Sequence, residues 1–132
     1  MNAIEIAIKM EKDAIKFYTE ASEKTKNPVG KKMFLTIVDD EKRHLDKFSC
    51  IIKGLNITVD DVSPMENIKT VFESMKSEMM QKVESTMDEL EAFRIAMQME
   101  KEGIDFYKKA ASEAKTEKEK LLFERLIKEE QE

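Results

Sequence analysis

The sequence predicts an all-α protein. It reads as a four-helix bundle in up-down-down-up order, built from two repeated helix hairpins, with an additional helix in the long crossover between them. Three observations carry this reading. Compared with itself at an offset of 89 residues, the separation of Glu11 and Glu100, the chain repeats without a gap. Ile6-Ala7-Ile8-Lys9-Met10-Glu11-Lys12 returns as Ile95-Ala96-Met97-Gln98-Met99-Glu100-Lys101, Phe17-Tyr18 as Phe106-Tyr107, Phe34 as Phe123 and Glu41 as Glu130. Apolar residues recur at three- and four-residue steps, the period of a helix with one buried face. Finally, 132 residues with 41% hydrophobic and 39% charged side chains, but only 3 Gly and 2 Pro, fit one helical domain with solvated outer faces.

The helix boundaries follow from caps. Asn2 with Glu5 forms a capping box for a first helix running to about Thr25. Asn27-Pro28 opens the second helix, and Gly54-Leu55 marks its stop. Ser63-Pro64-Met65-Glu66 opens a crossover helix reaching about Val83, Thr86-Met87-Asp88-Glu89 the next, and Thr116-Glu117-Lys118-Glu119 the last. Leu55 to Val62 reads as irregular or briefly extended. One domain therefore spans residues 1–132, with a hairpin over 2–54, a crossover over 55–85 and a second hairpin over 86–132.

Each apolar stripe is interrupted by a carboxylate. The first helix carries Ile4, Ala7, Ile8, Glu11, Ile15, Tyr18 and Ser22; its repeat carries Phe93, Ala96, Met97, Glu100, Ile104, Tyr107 and Ala111. The second carries Phe34, Ile37, Val38, Glu41, Leu45, Phe48 and Ile52, and the last Phe123, Leu126, Ile127 and Glu130. The crossover stripe of Ile68, Phe72, Met75 and Met79 is expected to pack on the bundle or on another subunit. Glu11 and Glu41 each stand about 15 residues from the turn near Lys26, so both lie roughly 22 Å along their helices from it. Glu100 and Glu130 flank the turn near Lys115 in the same way. Four glutamates thus converge at mid-height.

Burying four carboxylates together is prohibitive unless cations neutralise them. His44, the one histidine of the chain, stands three residues after Glu41 and shares its helix face. Glutamates from two helices with Glu-x-x-His from others form the two-metal site of ferritin-like bundles. Mixed oxygen and nitrogen ligands suit iron or manganese.

The net charge of −5 argues weakly against nucleic acid or an anionic membrane as partner. No apolar run approaches a membrane span, and the N-terminus lacks the layout of a signal peptide. The single cysteine, Cys50, reads as a small packing residue, and a reducing cytoplasm is the default compartment. The methionines between Met65 and Met87 read as core or interface filler, and the charged run Lys115 to Lys120 as a solvated face.

Along almost its whole length the chain resembles the rubrerythrin-like branch of the ferritin-like superfamily. The carrying residues are Glu11 in MEKDAIKFY, Glu41-Lys42-Arg43-His44, Glu100 in MEKEGIDFY and Glu130 in KEEQE. The resemblance implies a non-haem site of two iron ions, with manganese as the alternative, reacting with hydrogen peroxide or oxygen. It makes Glu11, Glu41, His44, Glu100 and Glu130 ligands, with Glu41 and Glu130 as bridges. Tyr18 and Tyr107 resemble the tyrosines that hydrogen-bond such carboxylates. The second Glu-x-x-His would place its histidine at the position after Glu132. Gly103 stands where the peroxidase-type relatives carry another carboxylate. The chain has no rubredoxin-like pair of Cys-x-x-Cys motifs, so electrons are expected from a separate donor such as a rubredoxin-like protein. The expected function is peroxide or oxygen reduction in oxidative-stress defence. The alternatives are ferrous iron oxidation and handling, or a non-catalytic metal-responsive interaction module. A homodimer is expected, with its helix pairs either within one chain or exchanged between two.

Overall fold

The computed structural model describes residues 2–58, 61, 69–85 and 88–131. Helix α1, Ala3–Lys24, starts at Asn2, whose side chain accepts from the Glu5 backbone N–H at 2.9 Å. Helix α2, Pro28–Gly54, has proline in its first turn, and the Asn27 side chain accepts from Gly30 N–H at 2.7 Å. These are the expected starts. The stop differs in detail: Gly54 is still helical, and the left-handed residue is Asn56, at φ 54°. Asparagine is one of the few side chains that tolerates that region.

Helix α3, Val71–Ser85, lies in the crossover. Its expected start at Ser63 to Glu66 lies outside the described residues. Within them, Thr70 is the cap. Its hydroxyl accepts from Glu73 N–H at 3.3 Å, and its own N–H donates to Glu73 Oε1 at 3.3 Å. This reciprocal Thr-x-x-Glu box is a second capping signal that the proline motif upstream overshadowed. Helix α4, Glu89–Ser112, is capped by Asp88, which accepts from Glu91 N–H at 2.8 Å. The expected opening residues Thr86 and Met87 lie outside the described residues. Helix α5, Glu117–Gln131, starts at Thr116, whose hydroxyl accepts from Glu119 N–H at 3.2 Å.

Packing makes two hairpins, α1 on α2 and α4 on α5, with α2 touching both helices of the second hairpin. This is the ferritin-like bundle. At the start of α2 a Cβ on Gly30 would sit 3.1 Å from Ala92 Cβ, so the glycine permits the close approach of α2 to α4. Helix α3 covers α1 and α4, burying Phe72, Met79, Met80 and Val83. Burying such side chains contributes about 1.5–3 kcal/mol each. Its N-terminus is pinned by the Thr70 hydroxyl, fully buried, which donates to Asp13 Oδ2 at 2.7 Å. Lys9 ties in as well, reaching both Asp13 and Glu73.

Several expectations change. The buried face of α1 includes Ile6, Met10 and Phe17, while Ile4, Ile8 and Ile15 are half-buried, because α3 widens the covered face. On α4 the equivalent positions have no such cover: Phe93 is 50% and Met97 56% exposed. Cys50 is exposed and not a packing residue, because it lies on the outer face of α2. Glu119 is buried, its carboxylate accepting from Lys115 N–H at 3.0 Å, so it anchors the α5 start and is not part of a solvated face. Among the described residues, no helix is long and apolar enough to cross a membrane.

Candidate metal centre

The bundle brings the predicted residues together. One ligand atom from each of Glu11 on α1, Glu41 and His44 on α2, and Glu130 on α5 lies within 4.8 Å of all the others. Glu11 and Glu41 are buried at the level of the apolar core. His44 Nδ1 lies 3.5 Å from Glu130 Oε1 and 3.7 Å from Glu41 Oε1. These are ion-pair separations, and neither closes a hydrogen bond. Glu11 Oε2, His44 Nδ1 and Glu130 Oε1 are all buried with no hydrogen-bond partner. Buried polar atoms are nearly always paired, so three orphans facing one point are a specific signal. A set of carboxylates and an imidazole nitrogen is mainly an acceptor set, and a cation is the partner that satisfies it. The donors present therefore fit a metal. Stacking of His44 on Phe48, with ring centroids 6.3 Å apart and planes 7° from parallel, fixes the imidazole.

Glu100, on α4, stands beside this group of four and not within it. What holds it is a hydroxyl from α1: Tyr18 donates to Glu100 Oε1 at 3.1 Å. The reciprocal bond runs from Tyr107 on α4 to Glu11 Oε1 at 3.5 Å. Each tyrosine hydroxyl also lies 3.4 Å from a carbonyl one turn before that glutamate, Tyr18 from Ala96 O and Tyr107 from Ala7 O. The tyrosines were expected to act on carboxylates, but each serves the glutamate of the other hairpin. The internal repeat held that information. The crossed bonds place α1 and α4 antiparallel, so a tyrosine two turns past its own glutamate arrives beside its counterpart's.

The family model of rubrerythrin matches residues 2–132. The chain belongs to the rubrerythrin family. No curated protein and no solved structure matches it. Family membership and the crossed bundle agree on a rubrerythrin-like, ferritin-like di-iron domain, with a carboxylate and histidine cluster able to hold metal.

Electrostatics in this rubrerythrin-family site follow from packing four carboxylates together. Burial, then the nearby Glu41 and Glu130, push Glu11 far above the usual carboxylate range. Burial and the charges of Glu41 and Glu130 push Glu100 up to about 9. Glu130 is raised too, chiefly by burial. Burial also acts to raise Glu41, but its contacts with Glu11 and His44 outweigh that and hold it low. His44 is raised, first by its contact with the Glu41 carboxylate. Without metal, burial and neighbouring charge favour the protonated form of Glu11 and Glu100, while contacts with Glu11 and His44 favour the ionised form of Glu41.

A cleft of about 440 Å³ reaches the cluster from solvent, lined by Glu41, His44, Glu100 and Glu130 with Arg43 and Lys47 at its rim. Lys47 pairs with Glu129 at 3.4 Å, joining α2 to α5 at this mouth. Arg43 stands in the sequence as part of the Glu41 to His44 motif and Lys47 carries no motif, so neither is marked there as lining the mouth of a site. Gly103 is buried, and a Cβ there would lie 3.6 Å from the Met10 methyl carbon.

Proposed function

We propose that this chain is a non-haem di-iron oxidoreductase of rubrerythrin type. It reduces hydrogen peroxide, or oxygen, with electrons from a separate donor such as a rubredoxin-like protein. The observation that carries the reading is the convergence of Glu11, Glu41, His44 and Glu130 with three buried, unpartnered polar atoms facing one another. Glu11 and Glu100, from opposite hairpins, would hold metal together with Glu41, Glu130 and His44. When bound, two iron ions supply the electrons and the Lewis acidity that O–O cleavage requires; manganese is the alternative metal.

The protein's own contribution is positional. Tyr18 and Tyr107 hold the Glu100 and Glu11 carboxylates in place, and the Phe48 stack holds His44. The cleft beside Lys47 and Glu129 is wide enough to admit a small oxidant to the carboxylates. The whole chain, 1–132, acts as one domain in the cytoplasm, and as a homodimer. Support for association is the apolar face of α4, where Leu90, Phe93 and Met97 are each at least half exposed.

The deciding experiment is anaerobic iron loading, elemental analysis, reduction and mixing with hydrogen peroxide. About two irons per chain and rapid oxidation on peroxide addition are expected. Bound iron that peroxide does not oxidise would sink the enzymatic reading in favour of a metal-responsive module. Large particles accumulating iron far beyond two per chain would favour iron handling instead.

A further inference from the structure

Each buried tyrosine sits in a cage of three phenyl rings, and the two cages match ring for ring except at one place. Tyr107 touches Phe106, Phe123 and Phe48 at centroid distances of 6.0, 6.1 and 6.4 Å. Tyr18 touches Phe17, Phe34 and Phe72 at 5.2, 6.1 and 5.9 Å. Phe17 and Phe106 are repeat equivalents, as are Phe34 and Phe123. The third ring breaks the rule. Phe48 comes from α2, whereas Phe72 comes from the crossover helix, which has no repeat at all. Yet both third rings meet their tyrosines at the same 70° interplanar angle.

We infer that Phe72 is a positioning residue of the metal centre: the crossover helix supplies the ring that holds Tyr18 in register with Glu100. The chain of contact is continuous. Phe72 is buried against Phe17 and Tyr18, and the Tyr18 hydroxyl donates to Glu100 Oε1 at 3.1 Å. Two residues before Phe72, Thr70 bonds Asp13 and fixes the height of α3 on α1. Edge-to-face ring pairs impose an orientation that an aliphatic side chain does not. The position of α3 is therefore felt at a metal-facing carboxylate. This rests on the reading of Glu100 as part of a metal site, but its structural half concerns Tyr18 and is measurable without metal.

The chain has two tyrosines and no tryptophan, so each tyrosine is separately observable. The test incorporates 3-fluorotyrosine into the full chain and assigns the two fluorine resonances with Tyr18→Phe and Tyr107→Phe. In the metal-free protein, Phe72→Leu is expected to shift the Tyr18 resonance and leave Tyr107 in place, and Phe48→Leu to do the converse. Met79→Ala, two turns along α3, should lower stability without moving Tyr18. Phe72→Met serves if the leucine variant loses helicity. A Tyr18 resonance unmoved by either Phe72 variant, or moved equally by Met79→Ala, would overturn the inference. Cobalt(II) loading then reads the second half. Phe72→Leu should alter the visible spectrum of the bound cobalt, and Met79→Ala should not. Wild-type protein that binds no cobalt would defeat the metal reading while the metal-free result stood.

Discussion

Tyr18 on α1 and Glu100 on α4 are joined by a 3.1 Å hydrogen bond across the bundle, 82 residues apart in sequence. With its mirror from Tyr107 to Glu11, it makes each hairpin the support for the other's carboxylate. Tyr18→Phe should therefore weaken metal binding by about 10–100-fold, the usual effect of removing a group that orients a ligand. Tyr107→Phe should act similarly through Glu11. Competition titration against a coloured chelator measures both, and unchanged affinity in both variants would show that the crossed bonds do not orient the ligands.

The raised carboxylates make the metal-free protein sensitive to alkali. Glu100 moves from 4.5 to about 9 on folding, so between those values the folded chain binds more protons than the unfolded one. Stability must then fall as pH rises through that window, and Glu11, Glu130 and His44, also raised, act in the same direction. Glu41 is lowered, and its contribution is lost only as pH falls below the ordinary carboxylate range. Urea midpoints of metal-free protein should decline from pH 5 towards pH 9. Metal displaces those protons, so its affinity should rise with pH over the same span. A flat urea profile would contradict the proton inventory of the site.

Loss of Glu41 or Glu130 should empty the site without unfolding the bundle. Glu41→Ala and Glu130→Ala are expected to retain helical circular dichroism while metal content drops well below that of the wild type. Full metal content in both would remove the residue assignment.

Thr70→Ala should detach the start of α3. The substitution removes a helix cap, worth about 0.5–2 kcal/mol, and the bond to Asp13. Urea unfolding gives the loss, and Thr70→Ser should recover most of it. An alanine variant as stable as the wild type would show that Lys9 and Glu73 suffice to dock the helix.

Most of the helical architecture and the identity of the clustered residues were legible in the chain before any coordinates. The reason is physical: caps such as Asn2, Asn27 and Thr116 act locally, and a repeat that preserves Glu11, Glu41, Glu100 and Glu130 preserves their heights. What was not legible depends on which helices become neighbours. The crossed service of Tyr18 and Tyr107, and the place of Glu100 beside the tight group, arise from the pairing of α1 with α4. Phe93 and Met97 have the same helical spacing as buried residues, so periodicity cannot tell that no helix among the described residues covers them. Phe72 looked like one more apolar residue because its partner ring lies 54 positions away, at Tyr18.

Each half of the chain brings two glutamates and a tyrosine to the site. A segment equivalent to 2–54 carries a full complement of its own: Glu11, Glu41, His44 and the tyrosine that reaches across the axis. Two copies of such a segment, paired about a true dyad, would assemble four glutamates and two imidazoles, with each tyrosine serving its neighbour. Fusion of two such genes would free the halves to diverge. In this chain the symmetry is broken at one ring, which α2 supplies to Tyr107 as Phe48 and the crossover helix supplies to Tyr18 as Phe72.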